Sequence, residues 1–557
     1  MTRRQCLLLL AQAASGAQPD TPFTQFSDIA RQAGLTEPIV YGGLTSKKYI
    51  LETNGCGVAF YDYDQDGWLD IFLGGGTRLD EKPGQTSIRL YHNNRDGTFT
   101  DVTAKARLNR IAWVSGVCIG DYDNDGFDDL FLSCWGQNIL YHNNGDGTFT
   151  DVTKRAGLTS EENRWSAGCT FLDYDRDGRL DLFISEYLKF DLKTAPLPGM
   201  AENCNWKGIA VNCGPKGLPT GRNHLYHNNG DGTFSDVSEK SGIAKVKDRY
   251  GMTAVAADFD GDGWPDIFVA CDSTASVLYK NRQDGTFEDV ALVAGVAYNE
   301  DGREQAGMGV GVGDVRNTGT LDLFKTHFAD DTPILYLNDG HGAFTDVTAK
   351  AGLGSFSQYV SWGAGIADFD NDGWMDLLWV NGNVYPEVEK YFQQYKHLNP
   401  RVLLRNQGNA TFADYSSRGG AGITDRHSSR GCAFGDFNND GAIDVLVMNM
   451  NEPPSLLRNE LNNHNHWLKL KLVGTRSNRT AIGASAIVTA GGRRQRQDVL
   501  SQSSFYSQND LRLHFGLGSA EGADSIEIRW PSGLVESYKD VPGDRILTLK
   551  EGAGKQS

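Results

Sequence analysis

No stretch of the sequence approaches the ~20 consecutive apolar residues of a bilayer-spanning helix, so no membrane span is expected. Positive charge is also scarce, with 53 Lys and Arg against 71 Asp and Glu and a formal charge of −18. A nucleic-acid backbone demands clustered cations, which excludes that partner class. GxSxG, HExxH and P-loop signatures are absent, removing the usual motif-level grounds for an enzyme. What remains is 557 residues, 39% of them hydrophobic, enough to build sizeable cores.

The first residues, MTRRQCLLLLAQAASGAQPD, place a basic pair (Arg3, Arg4) before a short apolar run and small residues near Ala17. That is the order of a secretory signal peptide, expected over 1–17, and it predicts a secreted, extracellular or periplasmic protein. Loss of Cys6 with the leader leaves eight cysteines. Cys56, Cys118, Cys169 and Cys432 precede acidic loops by three to six residues, and Cys134 and Cys271 follow such loops by five. Recurrence at fixed places in apolar strands predicts buried free thiols. Only Cys204 and Cys213, in a Gly/Pro/Asn-rich insertion, are expected to form a disulfide.

The acidity is concentrated in one motif that recurs seven times, as DYDQDGWLD, DYDNDGFDD, DYDRDGRLD, DFDGDGWPD, DVRNTGTLD, DFDNDGWMD and DFNNDGAID, starting at Asp62, Asp121, Asp173, Asp258, Asp314, Asp368 and Asp436. A period near 55 with excursions indicates one supersecondary unit repeated, with insertions in its loops. Around each motif a Gly-rich apolar run enters, a short β-rich run leaves, and LYHNNGDGTFTDVT or a relative follows. Asn-Gly and Asp-Gly between apolar runs are hairpin turns, so each unit reads as four short antiparallel strands. Such sheets cannot bury their faces alone; packed radially, seven of them make a β-propeller. The predicted fold is therefore all-β, a seven-bladed propeller over 22–460, followed by a small β domain over 465–549. The start of the chain, 22–35 (PFTQFSDIARQAGL from Pro22), matches the repeat's last strand, which the seventh unit lacks after LLRNE, and is expected to supply it.

Alternate positions of the motif carry oxygen ligands around a turn-making glycine. They are Asp62, Asp64, Asp66 and Asp70; Asp121, Asp123, Asp125 and Asp129; Asp173, Asp175, Asp177 and Asp181; Asp258, Asp260, Asp262 and Asp266; Asp368, Asp370, Asp372 and Asp376; and Asp436, Asn438, Asp440 and Asp444. With the carbonyl at position 7, five hard oxygens suit Ca²⁺ better than Mg²⁺, and zinc is disfavoured because no His or Cys joins the sequence cluster. Asx-turns alone would explain one or two aspartates per loop, not three or four. In DVRNTGTLD, Arg316 and Thr318 replace two ligands, and Arg316 is expected to neutralise Asp314 and Asp322 without metal. About six calcium sites follow, and with the leader removed they would bring the net charge to about −8, an ordinary value for a soluble protein. The aspartates of the hairpin turns, Asp96, Asp146, Asp231 and Asp284, read as turn residues.

These DxDxDGxxD loops between Gly-rich and LF-rich strands resemble the FG-GAP/VCBS repeats of integrin α-subunit propellers. The tail, with AIGASAIVTAGG, YSQNDLRLHFGLG and IEIRWPSGLVESYKDV, resembles an ASPIC/UnbV domain. Together they are similar to the cartilage acidic protein family and its bacterial relatives. The resemblance implies a secreted calcium-binding protein, often with an adhesion or matrix role, and carries no defined catalytic residues. By their own alternation the tail segments WLKLKLVG, ASAIVTAGG, LRLHFGLG and SIEIRWPSG are strands with one wet face, and Arg493, Arg494 and Arg496 read as an exposed, solubilising hairpin tip.

In the integrin-like arrangement the calcium loops share one face, and the opposite face gathers Trp113, Arg164, Trp165, Arg249, Tyr250, Arg303, Tyr359, Trp362, Arg426 and His427. Aromatics and Arg anchor interfaces and stack on sugars, so this face is expected to bind an extracellular protein or glycan. Two insertions, from Glu186 to Arg222 and PEVEKYFQQYKHLNP with Val388, Tyr391, Phe392 and Tyr395 at helical spacing, should rise beside it. The rival function is an extracellular glycan lyase or hydrolase on the same face, for which Glu186, Asp248, Asp272, Glu304, His327 and His427 are the available acid–base groups.

Overall fold

The computed structural model describes residues 23–556 except 82, 83, 85 and 161; the leader expected over 1–17 lies outside the described residues. The protein is all-β, and its helices are single turns of three or four residues. Each acidic motif joins the first two strands of a four-stranded antiparallel unit, as in Trp113–Gly120, Asp129–Gly136, Ile139–Asn143 and Phe149–Asp151. Gly120 opposite Asp129 closes the acidic loop, and Asn143 opposite Phe149 closes the hairpin. The strand Phe26–Asp28 pairs with Ser455–Asn459, so the start of the described chain forms the outer strand of the unit built on Asp436.

Successive units are tied by asparagines that end each third strand. Asn143 donates through Nδ2 to the carbonyl of Tyr63 in the preceding acidic loop at 2.8 Å, Asn228 to Tyr122 at 2.7 Å, and Asn281 to Tyr174 at 2.8 Å. Asn338, Asn406 and Asn459 continue the series to Phe259, Val315 and Phe369. Asn93 of the first unit donates to Phe437 of the last at 2.9 Å, so the chain of bonds returns to its start. First strands of neighbouring units also touch in order, including Val58–Tyr61 with Ser429–Gly435. The glycines of those strands allow the approach: a Cβ on Gly309 would overlap the Trp362 carbonyl of the next unit.

Beyond the repeats, His466–Val473 lies between Leu513–Gly518 and Arg545–Lys550, and a five-stranded sheet contains Ser485–Ala490 and Gly522–Arg529. Leu468, Phe515 and Trp530 share one apolar cluster with Phe171 and Leu180 of the third unit. The loop Ser501–Gln508 enters the centre of the repeats, and all eight of its residues are buried. There it answers the inner edges of the first strands, whose unpaired amides need partners. Val310 and Ser504 exchange two backbone hydrogen bonds at 2.7 Å, Val117 N–H donates to Tyr506 O at 3.0 Å, and Gln508 N–H donates to Val58 O at 3.0 Å. Side chains do the rest: Gln502 Oε1 accepts from Cys169 N–H, Ser504 Oγ from Ala364 N–H and Asn509 Oδ1 from Phe434 N–H, each at 3.0 Å.

Cys204 and Cys213 are disulfide-bonded, and the other six described cysteines are free and buried. The segment PEVEKYFQQYKHLNP does not continue as the expected helix, holding only a 3-10 turn at Val388–Lys390. Tertiary contacts override its spacing: Val388 is buried in the repeat core, while Phe392 and Tyr395 turn onto Trp206 of the other insertion, with Tyr395 at 4.7 Å.

Candidate metal sites

Each loop is shaped by its own aspartates. In the second unit Asp121 accepts from Asp125 N–H at 3.0 Å and from Gly126 N–H at 2.7 Å, which wraps the loop around the first carboxylate. The turn needs left-handed backbone at Asn124 (φ 59°) and Gly126 (φ 103°), where Asn and Gly are least strained. Asp129 accepts from Tyr122 N–H at 3.1 Å and from Asn143 N–H at 2.8 Å. Ligand oxygens of Asp121, Asp123 and Asp125 fall within 4.8 Å of one another, and those of Asp62, Asp64 and Asp66 do the same. Asp96, Asp146, Asp231 and Asp284 instead cap their hairpins, each accepting from the Thr N–H two residues on at 3.0 Å.

Burial first, and neighbouring carboxylates with it, pushes Asp70 up to about 9 and Asp121, Asp173 and Asp266 up to about 8. Asp368, Asp376 and Asp444 are raised well above the carboxylate range for the same reason. Such groups hold protons or cations rather than bare charge. Hard, clustered, partly buried carboxylates with backbone already holding their outer lone pairs fit a Ca²⁺-type ion. Because the folded-state values stand above the unfolded ~3.9, their favourable contribution is complete below about pH 4 and is lost as pH rises toward 8–9. Metal-free protein should therefore melt higher at pH 5 than at pH 8. A melt that stays level or rises over that interval would contradict this account.

The loops are not alike in counter-charge. His92 Nδ1 lies 3.3 Å from Asp64 and Asp70, His142 Nδ1 3.3 Å from Asp123 and Asp129, and His227 Nδ1 3.4 Å from Asp175 and 3.2 Å from Asp181. The expectation that no histidine joins the clusters is thus corrected. The third strand places the residue before its Asn against loop positions 3 and 9; the thrice-repeated LYHNN was the available signal. Asp129 raises His142 and Asp181 raises His227.

From the fourth unit on, protein cations reach the carboxylates. Lys280, at the histidine's position, pairs with Asp260, and Arg405 there contacts Asp370 at 2.7 Å and Asp372 at 3.1 Å. Lys469, from the segment after the repeats, meets Asp436 at 2.8 Å with both side chains buried. Exposed pairs also form at position 5 of the first and third loops, Arg95 with Asp66 and Arg179 with Asp177.

Arg316 pairs with Asp322 at 2.8 Å and donates to the Asn338 carbonyl at 2.6 Å. Asp314 is held by the amides of Thr318 at 2.9 Å and Gly319 at 2.7 Å, and the Arg316 charge opposes the burial-driven rise of both carboxylates, so the expected neutralisation is a direct pair at Asp322 and acts on Asp314 without one. Arg316→Ala should destabilise by about 3 kcal/mol, the cost of an orphaned buried carboxylate. Arg316→Asp with Thr318→Asp should recover stability only with calcium. Identical melts of that double variant with and without calcium would show that the loop is no latent metal site.

Of the arginines expected to form a solubilising tip, Arg493 and Arg494 are exposed, and Arg493 and Arg496 also reach these loops. Arg493 donates to the Asp372 carbonyl, and Arg496 pairs with Asp498 at 2.8 Å while reaching the carbonyls of Asp258 and Gly319. Thr480 donates to Asp128 at 2.8 Å and accepts from Asp121 N–H at 2.8 Å.

Of the residues expected on the opposite face, the four large rings Trp113, Trp165, Tyr250 and Trp362 are buried in the central apolar cluster, though Trp362 also lines a cavity there. Arg164 is tied to Glu186 at 3.4 Å and Tyr226 at 3.2 Å, and His427 to Glu452 at 2.6 Å. Arg249 and Tyr359 are half-buried; Arg303 and Arg426 are exposed. Strand starts near the axis are crowded by their neighbours, which buries large rings there.

Repeated four-stranded sheets, each with a carboxylate-rich loop between its first two strands, define a class of all-β repeat proteins. The chain belongs to the FG-GAP-like repeat family, which matches residues 62–132, 121–184, 213–269, 258–325 and 327–379. The ASPIC and UnbV family matches 474–556. Cartilage acidic protein 1 of Homo sapiens is 26% identical over 326 residues, 57% of this chain and 46% of that protein, and the Mus musculus protein is 25% identical over 341 residues, 52% and 51%. The chain thus spans about half the length of the curated relatives it matches. Among solved structures, an Agrocybe aegerita lectin described as recognising non-reducing terminal N-acetylglucosamine covers 70% of this chain and 88% of its own, at 17% identity and a TM-score of 0.36, too low to carry a conclusion.

Proposed function

We propose that the protein is a secreted, calcium-stabilised, seven-bladed propeller that recognises an extracellular protein or glycan with the face away from its acidic loops. The C-terminal segment, 465–549, acts as a β domain that caps the loop face. The observation that carries the reading is this division of faces: the loop side is engaged by Lys469, Arg493, Arg496 and Thr480, whereas the other ends of the strands surround an open cavity between the two insertions. Calcium in as many as six loops would fix the strand ends and so the shape of that cavity.

Of the groups available for catalysis, Glu186 is committed to His224 and Arg164, and His427 to Glu452. Of those candidates Asp272 and Glu304 line the cavity, together with Asp331, and no partnered acid–base pair among them points to a reaction, which leaves the lyase or hydrolase reading as the second choice. A matrix-protein and glycan array, probed with calcium-loaded protein and again in chelator, tests recognition. A calcium-dependent hit is expected. A blank array in both conditions would remove the proposal.

A further inference from the structure

The cavity of about 370 Å³ lies where first strands begin and second strands end, across the sheets from the acidic loops. Its volume is within the ~300–1,000 Å³ typical of small-ligand sites. Three polar side chains that line it are buried yet incompletely bonded among the described residues: Asn54 Nδ2, Asn212 Nδ2 and Gln305 Oε1 have no partner, at 4%, 1% and 6% exposure. They come from three distant segments and present two donors and one acceptor to the same space. Buried polar groups are nearly always satisfied, so three that line one cavity point to a ligand. Asp272, held by the Tyr187 hydroxyl at 2.5 Å, and Asp331 add carboxylate acceptors, and Trp206 adds an aromatic wall.

We propose that this cavity binds the terminal residue of a neutral saccharide. The inference rests on the recognition function above and names its ligand class. Hydroxyl groups donate and accept, so one sugar ring can answer Asn54 and Asn212 as an acceptor and Gln305, Asp272 and Asp331 as a donor. A cationic side chain would satisfy the carboxylates but leave both amide donors unpaired.

The test uses the full chain, calcium-loaded, titrated with the methyl glycosides of glucose, galactose, mannose and N-acetylglucosamine and, separately, with lysine amide, following tryptophan fluorescence. At least one glycoside should bind saturably. Asn212→Leu and Gln305→Ala should each weaken it tenfold or more without lowering the melt, because both remove an unsatisfied polar atom. Asn54→Ala supplies a third variant outside the insertions should Asn212→Leu fold poorly. No binding of any glycoside, or binding unchanged in all three variants, overturns the proposal. Binding of lysine amide instead, abolished by Asp272→Asn, overturns it in favour of a cation site. If array hits persist in these variants, recognition stands and only the cavity assignment falls; a blank array removes both.

Discussion

Metal-free protein is expected to melt far below the calcium-loaded protein, with the first three acidic loops filling before the others. In those loops the third strand offers a histidine where later loops have Lys280 or Arg405, and the arginine pairs that do form, at Asp66 and Asp177, are exposed, so a divalent ion is the strongest available counter-charge. In the fourth, sixth and seventh, the ion must share the site with or displace Lys280, Arg405 or Lys469. A ligand that binds only the folded state stabilises by about 2.7 kcal/mol per site at a hundredfold excess over Kd, so three filled loops are worth about 8 kcal/mol. Calorimetric titration of stripped protein should resolve a tight group of about three sites from a weaker group, and the melt should recover with the first group. An unchanged melt after stripping, or no heat of binding, would end the calcium account. Lys469→Met should tighten the seventh loop's affinity, since it removes the cation that competes at Asp436.

The second large effect is expected at the loop that enters the centre of the repeats. Phe505 is fully buried, packs edge-on against Trp362 at 4.9 Å and lies 3.9 Å from the Tyr506 ring. Phe505→Ala should cost about 3–5 kcal/mol, the range for losing a buried aromatic ring from a site that cannot collapse. The rigid inner strands allow little relaxation, because Gly57 already brings its backbone against the Tyr506 carbonyl. Truncation before His466 should have a larger consequence, leaving the amides of Val117, Cys169, Val310, Ala364 and Phe434 without their acceptors. That truncated chain is expected to lose its cooperative melt. A truncation that melts cooperatively near the parent temperature would show that the repeats stand without the loop, and Phe505→Ala within about 0.5 kcal/mol of the parent would show the same for the ring.

By itself the sequence determined the unit and its chemistry. Short apolar runs between turn signals set the strands of the repeat, Asn-Gly and Asp-Gly set the turns, and aspartates at alternate loop positions had to converge because a short turn leaves them no other side to face. Cys204 and Cys213, nine residues apart, were close enough to meet whatever the rest of the fold did. The tertiary structure decided what joins those local pieces. His92, Lys280 and Arg405 become loop neighbours only through the register of the third strand, and Lys469 reaches Asp436 across 33 residues of chain. The polar run SQSSFYSQ is buried, although nothing in its composition marks it as core, because inner strand edges present unpaired amides that Ser, Gln and backbone can satisfy. Trp113, Trp165 and Trp362 read as a binding surface for the converse reason: local pattern marks a ring as large and apolar, but only the approach of neighbouring sheets fixes whether water or protein covers it.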